Sequence, residues 1–386
     1  MRRLLALTLS ATILCPSLSW AAQAEAPAPQ APAPASPPDK PRSEPAQSAT
    51  SLVEPSHLEP YRQEPLHVEP PKADPELARA NADMLAVYRA TSAAVFGDAQ
   101  ADLWESQRLW TRYADEMCQY AQDLTTRSPR IERHETQSQC LTRAASAREA
   151  ELKAALQTVG PWTFLRITDH RVHPPHPGRG DALVPEAITR VQLARPETDA
   201  GRRWNLAVAR QLELVVNAAY DQADSEVAPS GEGRDIALSA GVDVAAVTAD
   251  LIDVSVHATA DPVGPPAPRT SARGLIWSMR LGRPIEDSDL FDPRERWRPS
   301  LAQMAADRLA PDAPAGASAA TVLAVAPLAA DPTRWTLTPA GLQIDLHTPA
   351  ATAGSGAALV PWSLLSPYLK RPWFVNPSSL VEPIRG

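Results

Sequence analysis

From about Leu77 to Leu156 the chain alternates polar residues with a set that recurs three or four apart, the spacing of one helix face. Leu77, Met84, Tyr88 and Val95 mark a first helix. Leu103, Gln107, Trp110, Ala114, Met117, Ala121 and Leu124 mark a second. Leu141, Ala145, Arg148, Leu152 and Ala155 mark a third, after the break at Ser128-Pro129. Three amphipathic helices with short connections follow, and Gly160-Pro161 ends that unit.

Beyond residue 160 the period is mixed. Residues 202–220 predict one amphipathic helix, with Leu206, Ala209, Leu212, Val216 and Ala219 on its apolar face. Asp235 to Ala258 contains alternating runs that predict strands, as do 274–281, 321–328 and 358–362. Residues 335–347 predict a hairpin turning at Pro339-Ala340-Gly341, and 363–369 a short closing helix. The fold class expected is multidomain: an all-α three-helix domain (76–158) stapled by a disulfide, followed by an α+β domain (160–375).

The N-terminus changes the picture. Arg2 and Arg3 precede an apolar run, LLALTLSATIL, and Ala22-Gln23-Ala24 supplies a small-x-small cleavage site. Residues 1–24 therefore read as a secretory signal peptide, and the protein as periplasmic or secreted. No later run is long and apolar enough for a membrane span. A competing reading lipidates Cys15, but Thr12-Ile13-Leu14 lacks the small residue such a cysteine wants before it, and Pro16 follows.

Export makes the cysteines informative. With Cys15 removed, Cys118 and Cys140 are the only pair left, and an even pair outside the cytoplasm reads as a disulfide. Cys118 falls late in the second helix and Cys140 early in the third, so the bond staples a helical hairpin and contributes about 3 kcal/mol in the chain-entropy picture.

Fourteen of the 41 prolines lie between Pro27 and Pro75, and an acid precedes proline at residues 54, 59, 64, 69 and 74. Proline fixes its own φ and holds the preceding residue extended. Residues 25–75 read as a disordered, polyproline-like stalk; a ligand for a proline-recognition groove is the functional alternative.

The charge of −8, without a basic stripe, argues against nucleic acid as a partner. No phosphate loop, dinucleotide fingerprint, zinc-protease helix or nucleophile elbow is present. The acidic pairs Asp115-Glu116, Asp221 with Asp224, and Glu286-Asp287 read as surface charges, so no catalytic residue and no cofactor is expected. His170, His173 and His176 recur three apart in DHRVHPPHP, where the prolines forbid a helix. They are expected on a solvent-exposed loop; gathering around a metal with Asp169 is the alternative.

The helical segment carries a more specific pattern: Gln107-Arg108, Trp110, Tyr113, Asp115-Glu116, Cys118, then Cys140-Leu141, Thr142, Arg143, Arg148 and Leu152. This resembles the domain of the LprI-type lysozyme inhibitors, with Ala114 where that family usually has arginine. The resemblance implies that Gln107, Trp110, Tyr113, Arg143 and Arg148 are structural motif residues. The last two hundred residues are similar to the extracytoplasmic, lysozyme-binding part of the anti-sigma factor RsiV. RRWNLAVARQL, GLIWSMRLGRPIEDSDLF, RWTLTPAGLQIDL and ALVPWSLLSPYL carry that likeness; PVGPPAPRTSARG replaces the family's Gly-Ala-His before the strand.

Both resemblances imply a non-enzymatic binding protein with lysozyme as partner, acting by occluding the lysozyme cleft. Asp115 and Glu116 are the candidate contacts, because an acidic exported protein is steered toward a cationic enzyme. The rival from another class is a peptidoglycan-associated module accompanying a wall hydrolase.

Overall fold

The computed structural model describes residues 67–68, 74–127, 136–174, 183–225, 235–262, 267–309, 317–347, 356–370 and 377–382. The signal segment with Cys15, and most of the proline-rich tract, lie outside the described residues.

Local chemistry sets the first helices. α1 (Pro75–Ala94) starts where the Asp74 carboxylate accepts from the backbone N–H groups of Glu76 and Leu77, with proline at the first helical position. α2 spans Asp98–Arg127 and α3 Gln137–Lys153. α3 opens on a reciprocal capping box between Thr136 and Gln139. The three helices fall where the 3–4 spacing places them.

Gly160-Pro161 turns a hairpin. β1 (Leu156–Val159) and β2 (Trp162–His173) pair antiparallel around it, with Gly160 at φ +56°. Any side chain there would be strained, and a Cβ would lie 3.0 Å from Val247 Cγ2. β3 (Val184–Leu193) completes an antiparallel trio. Neither β2 nor β3 is among the strands the sequence pattern predicts. His170 and His173, expected on a loop, sit in β2 opposite Ala187 and Val184. The prolines that exclude a helix begin only at Pro174, and an extended backbone is what the residue before proline prefers. His176 lies outside the described residues.

α4 (Asp199–Ser225) crosses over to β4 (Ile236–Val247), which runs parallel to β3. β5 (Leu251–Pro262), β6 (Arg269–Ser278) and the two-residue β7 (Arg283–Pro284) continue antiparallel, giving a seven-stranded sheet in chain order. The single parallel pair is the one joined by a helical crossover, as geometry requires.

The buried face of α4 differs from the expected one. Trp204, Val208, Leu212, Val215, Ala219 and Ala223 are buried, whereas Leu206 is 69% exposed. Two stripes compete within this helix, and the one carrying Trp204 buries more area. Trp204 packs against Phe164 of β2 with ring centroids 5.6 Å apart.

The C-terminal part forms a second layer: α5 (Asp287–Leu290), α6 (Trp297–Leu309), α7 (Ala319–Ala329), β8 (Trp335–Leu337), β9 (Gly341–Asp345), β10 (Ala357–Pro361) and α8 (Trp362–Leu365). Residues 321–328, predicted as a strand, are helical. Ser318 caps α7, alanine favours the helix, and Val325 and Ala329 pack into the core. The predicted hairpin is present as β8 and β9, β10 pairs with β9, and the closing helix is a single turn.

Alternation places the layers. On β5, Ile252, Val254 and Val256 join the α4 core, while Leu251 joins the C-terminal one; on β6, Leu275 and Trp277 oppose Ile276. The α4 layer and the C-terminal layer therefore cover opposite faces of the sheet. The C-terminal core centres on Phe291, which stacks on Trp297 at 4.3 Å and meets Trp335 edge-on at 5.5 Å. The architecture is α+β, helices with a seven-stranded mixed sheet, and the described elements lie in one compact unit, Pro60–Gly386. No described helix is long and apolar enough to cross a membrane.

Candidate functional site

The conspicuous polar cluster lies where α2 and α3 meet the edge of β2. β1 covers only Trp162–Leu165 of that edge. Further along, Arg166 donates its backbone N–H to the carbonyl of Ala155, in the link between α3 and β1, and then helical side chains take the place of a strand: the Thr168 carbonyl accepts from Ser106 Oγ (3.0 Å) and Arg148 Nη1 (3.2 Å). Leu165 and Ile167 pack beside Leu103, Trp110 and Leu141 in the helical core.

Arg148 is the hub of this junction, with 1% of its surface exposed. Its Nε donates to Gln107 Oε1 at 3.1 Å, Nη2 to Ser106 Oγ at 2.9 Å, and Nη1 to Glu151 Oε2 at 2.9 Å. Burial lowers the guanidinium pKa, and Glu151 opposes that shift. A guanidinium stays charged regardless, and its fan of donors is what four acceptors around one buried point require. Burial pushes the Glu151 carboxyl up, but His170 and Arg148 outweigh it and hold the pKa below the usual carboxylate range. His170 Nε2 lies 3.1 Å from Glu151 Oε1, and its ring sits 5.2 Å from that of Tyr113.

Cys118 and Cys140 are bonded, with Cα atoms 5.6 Å apart. Together with Gln107, Trp110 and Arg148, they lie in the interior. Tyr113 is half-buried at the rim, and Asp115, Glu116 and Arg143 are on the solvent side. Arg143 Nη2 approaches Cys140 Sγ at 3.9 Å.

A surface groove of about 380 Å³ runs between α2 and β2. Arg108, Arg112, Tyr113 and Glu116 line one wall, and His170, Arg171 and His173 the other. The structure thus brings together Tyr113, Glu116 and two of the three histidines; Asp115 is not part of the lining. Each histidine has a carboxylate: His170 has Glu151, and His173 Nε2 lies 3.0 Å from Glu186 Oε2. Among the described residues no group of three or more histidine, cysteine or acidic side chains gathers to hold a metal.

Ser106, Glu151 and Thr168 complete the Arg148 hub and are not among the motif residues. Glu151 had a signal, since it follows Arg148 at helical i,i+3 spacing. Thr168 acts through its main chain, which no residue pattern announces.

No known family profile matches the chain, and no curated protein does. Among solved structures it is similar to a DUF3298 family member from Bacteroides fragilis, at 11% identity and a TM-score of 0.39, over 55% of this chain and 96% of that one. It is also similar to a DUF3298 family protein from Pseudomonas aeruginosa, at 14% identity and a TM-score of 0.36, over 55% of this chain and 95% of that one.

Proposed function

We propose that this is an extracytoplasmic binding protein of the lysozyme-inhibitor type, exported by residues 1–24, which occludes a lysozyme cleft and performs no chemistry of its own. The observation that carries the reading is the Gln107–Arg148 hydrogen bond beside the Cys118–Cys140 staple. Of the residues by which the chain resembles the LprI-type inhibitors, Gln107, Trp110, Arg148 and the two cysteines are buried together, and Tyr113 and Glu116 line the groove on the outer side. The disulfide fits an oxidising compartment, and the charge of −8 fits steering toward a cationic enzyme. The same proposal includes a helical module, 76–158, and an RsiV-like module, 160–375, held together through Arg148 and Thr168.

A lysozyme turbidity assay with the mature chain, run with and without excess soluble peptidoglycan, tests it. Inhibition that survives the competitor and weakens with salt supports the reading, since exposed charges are screened beyond about 8 Å at physiological ionic strength. No binding to lysozyme at low salt overturns it, and co-sedimentation with wall sacculi then puts the peptidoglycan-associated module first.

A further inference from the structure

A second concavity shares no lining residue with the α2–β2 groove. It opens where the sheet parts: the β3–β4 ladder stops at Thr189 and Gly241, while β3 runs on to Leu193. Arg190 and Gln192 of β3 line it, together with Asp98 and Asp102 of α2 and Leu206 of α4. We infer that this cleft is a binding slot for the acetamido group of an N-acetylated amino sugar; the inference goes beyond the lysozyme reading and takes nothing from it.

Two buried donors along the cleft lack an acceptor. Arg190 and Gln192 stand two positions apart on one strand and so face the same side. The two terminal nitrogens of Arg190 are held by Asp102 at 2.9 Å and Asp169 at 3.0 Å, which fixes the guanidinium, yet its buried Nε has no hydrogen-bond partner. Gln192 is only 7% exposed, and its Nε2 has no partner either. Buried polar groups are nearly always paired. Both nitrogens can only donate, so what they lack is an oxygen. That oxygen should be neutral. Asp98 and Asp102 already outnumber the one guanidinium in the lining, which repels a carboxylate or phosphate and admits a carbonyl.

The open end of β3 already takes an amide. Asn205 of α4, also in the lining, accepts from the Leu193 N–H at 2.8 Å and donates to the Leu193 carbonyl at 3.4 Å. Its carboxamide stands in for a neighbouring strand. An amide ligand brings the same two groups: a carbonyl for the nitrogens of Gln192 and Arg190, and an N–H for the carboxylates at the α2 side.

Floor and volume select the kind of amide. Val191, Val208, Leu212 and Val242 are all buried and supply the apolar lining. A primary carboxamide would press its NH2 against them unpaired, whereas an acetamido group presents a methyl. The cleft encloses about 100 Å³. That is about two-thirds of the roughly 150 Å³ that holds benzene, and an acetamido group has four heavy atoms to benzene's six. Nothing is left for the flexible stem of an acetylated lysine. A sugar carries the group directly on its ring, which stays outside, where Leu206, 69% exposed, gives its C–H face an apolar surface.

Saturation-transfer NMR on the full mature chain, with no lysozyme present, tests the slot. The probes are N-acetylglucosamine, glucose and Nε-acetyl-lysine. The expected result is saturation strongest at the acetyl methyl of N-acetylglucosamine and none on glucose. Gln192→Leu removes an unpaired donor, so the thermal midpoint holds or rises while the affinity for N-acetylglucosamine falls about tenfold, the worth of one hydrogen bond. Ala209→Phe, on the exposed side of α4 at the cleft, plugs the mouth and abolishes the signal without touching the core. No saturation of N-acetylglucosamine by the folded wild type overturns the proposal, and so does equal saturation of glucose. Wild-type binding in Ala209→Phe overturns the location. Tighter binding of Nε-acetyl-lysine than of N-acetylglucosamine overturns the sugar in favour of an acetylated peptide. Lysozyme inhibition stands or falls in its own assay, whichever way these results come out.

Discussion

Arg148 Nη1 donates to the main-chain carbonyl of Thr168 at 3.2 Å, so a side chain of the helical hairpin closes an open edge of the sheet. Exposed strand edges invite pairing with other chains, and covering them is a general need. Here the cover is specific, because the same guanidinium also binds Gln107, Ser106 and Glu151.

Removing that guanidinium strands several acceptors at once. Arg148→Met is expected to destabilise the protein by about 3–5 kcal/mol, since the Gln107 Oε1 and Thr168 carbonyl acceptors each lose a donor at a cost of about 1–3 kcal/mol and the packing of the side chain is lost with them. Arg148→Lys should recover only part of the loss, since an ammonium cannot span the same acceptors. Urea unfolding followed by circular dichroism measures both, and a loss below 1 kcal/mol in the Met variant, within the range of ordinary surface substitutions, refutes the hub role.

The disulfide closes a loop between residues 22 apart in sequence. Cys118→Ser should cost about 2–4 kcal/mol, felt first in α2 and α3. Hydrogen exchange locates the loss. Mass spectrometry of the unreduced mature protein should find no free thiol at either position.

Asp253 is a buried acid between β5 and the C-terminal layer. Its Oδ2 accepts from the Leu337 N–H at 2.6 Å, while Oδ1 has no partner. Burial pushes its pKa well above the usual carboxylate range, and that one N–H opposes the shift. The folded state therefore keeps a proton that the unfolded state releases above about pH 4. Its stabilising contribution is complete below that pH. It falls by about 1.4 kcal/mol per pH unit as pH rises toward the folded pKa. Asp253→Asn should flatten this slope above about pH 4, whatever its absolute stability. Parallel denaturation curves at several pH values decide it; an unchanged slope means Asp253 is ionised when folded.

Gly274 lets the main chain of β8 approach β6. A Cβ there would lie 2.7 Å from the Trp335 carbonyl oxygen and 3.3 Å from that of Thr333. Because both neighbours are backbone, neither can rotate away. Gly274→Ala should cost about 1–3 kcal/mol and loosen the C-terminal layer. Trp335 is completely buried in that layer, so fluorescence should report the change; a wild-type spectrum and midpoint would count against the close approach.

Helical periodicity places α1, α2 and α3 because their stripes are long and their caps, Asp74 and Thr136, are local. The cysteine pair is legible for a similar reason, since composition leaves few alternatives. The β8–β9 hairpin likewise follows from turn residues close in sequence. By contrast, residues 321–328 are helical where the pattern predicts a strand, because a short apolar run has no period of its own. Its structure follows from the Ser318 cap and the layer it packs on.

The sequence by itself determined local structure: where α1, α2 and α3 fall and which cysteines pair. Only the tertiary structure decided which stripe of α4 turns inward, since burying Trp204 against Phe164 depends on a residue forty positions away. It alone set His170 into a strand beside Glu151, and it alone brought the Thr168 carbonyl under Arg148. Those contacts join main chain to side chain across distant elements, and such pairings leave no spacing in the sequence to read.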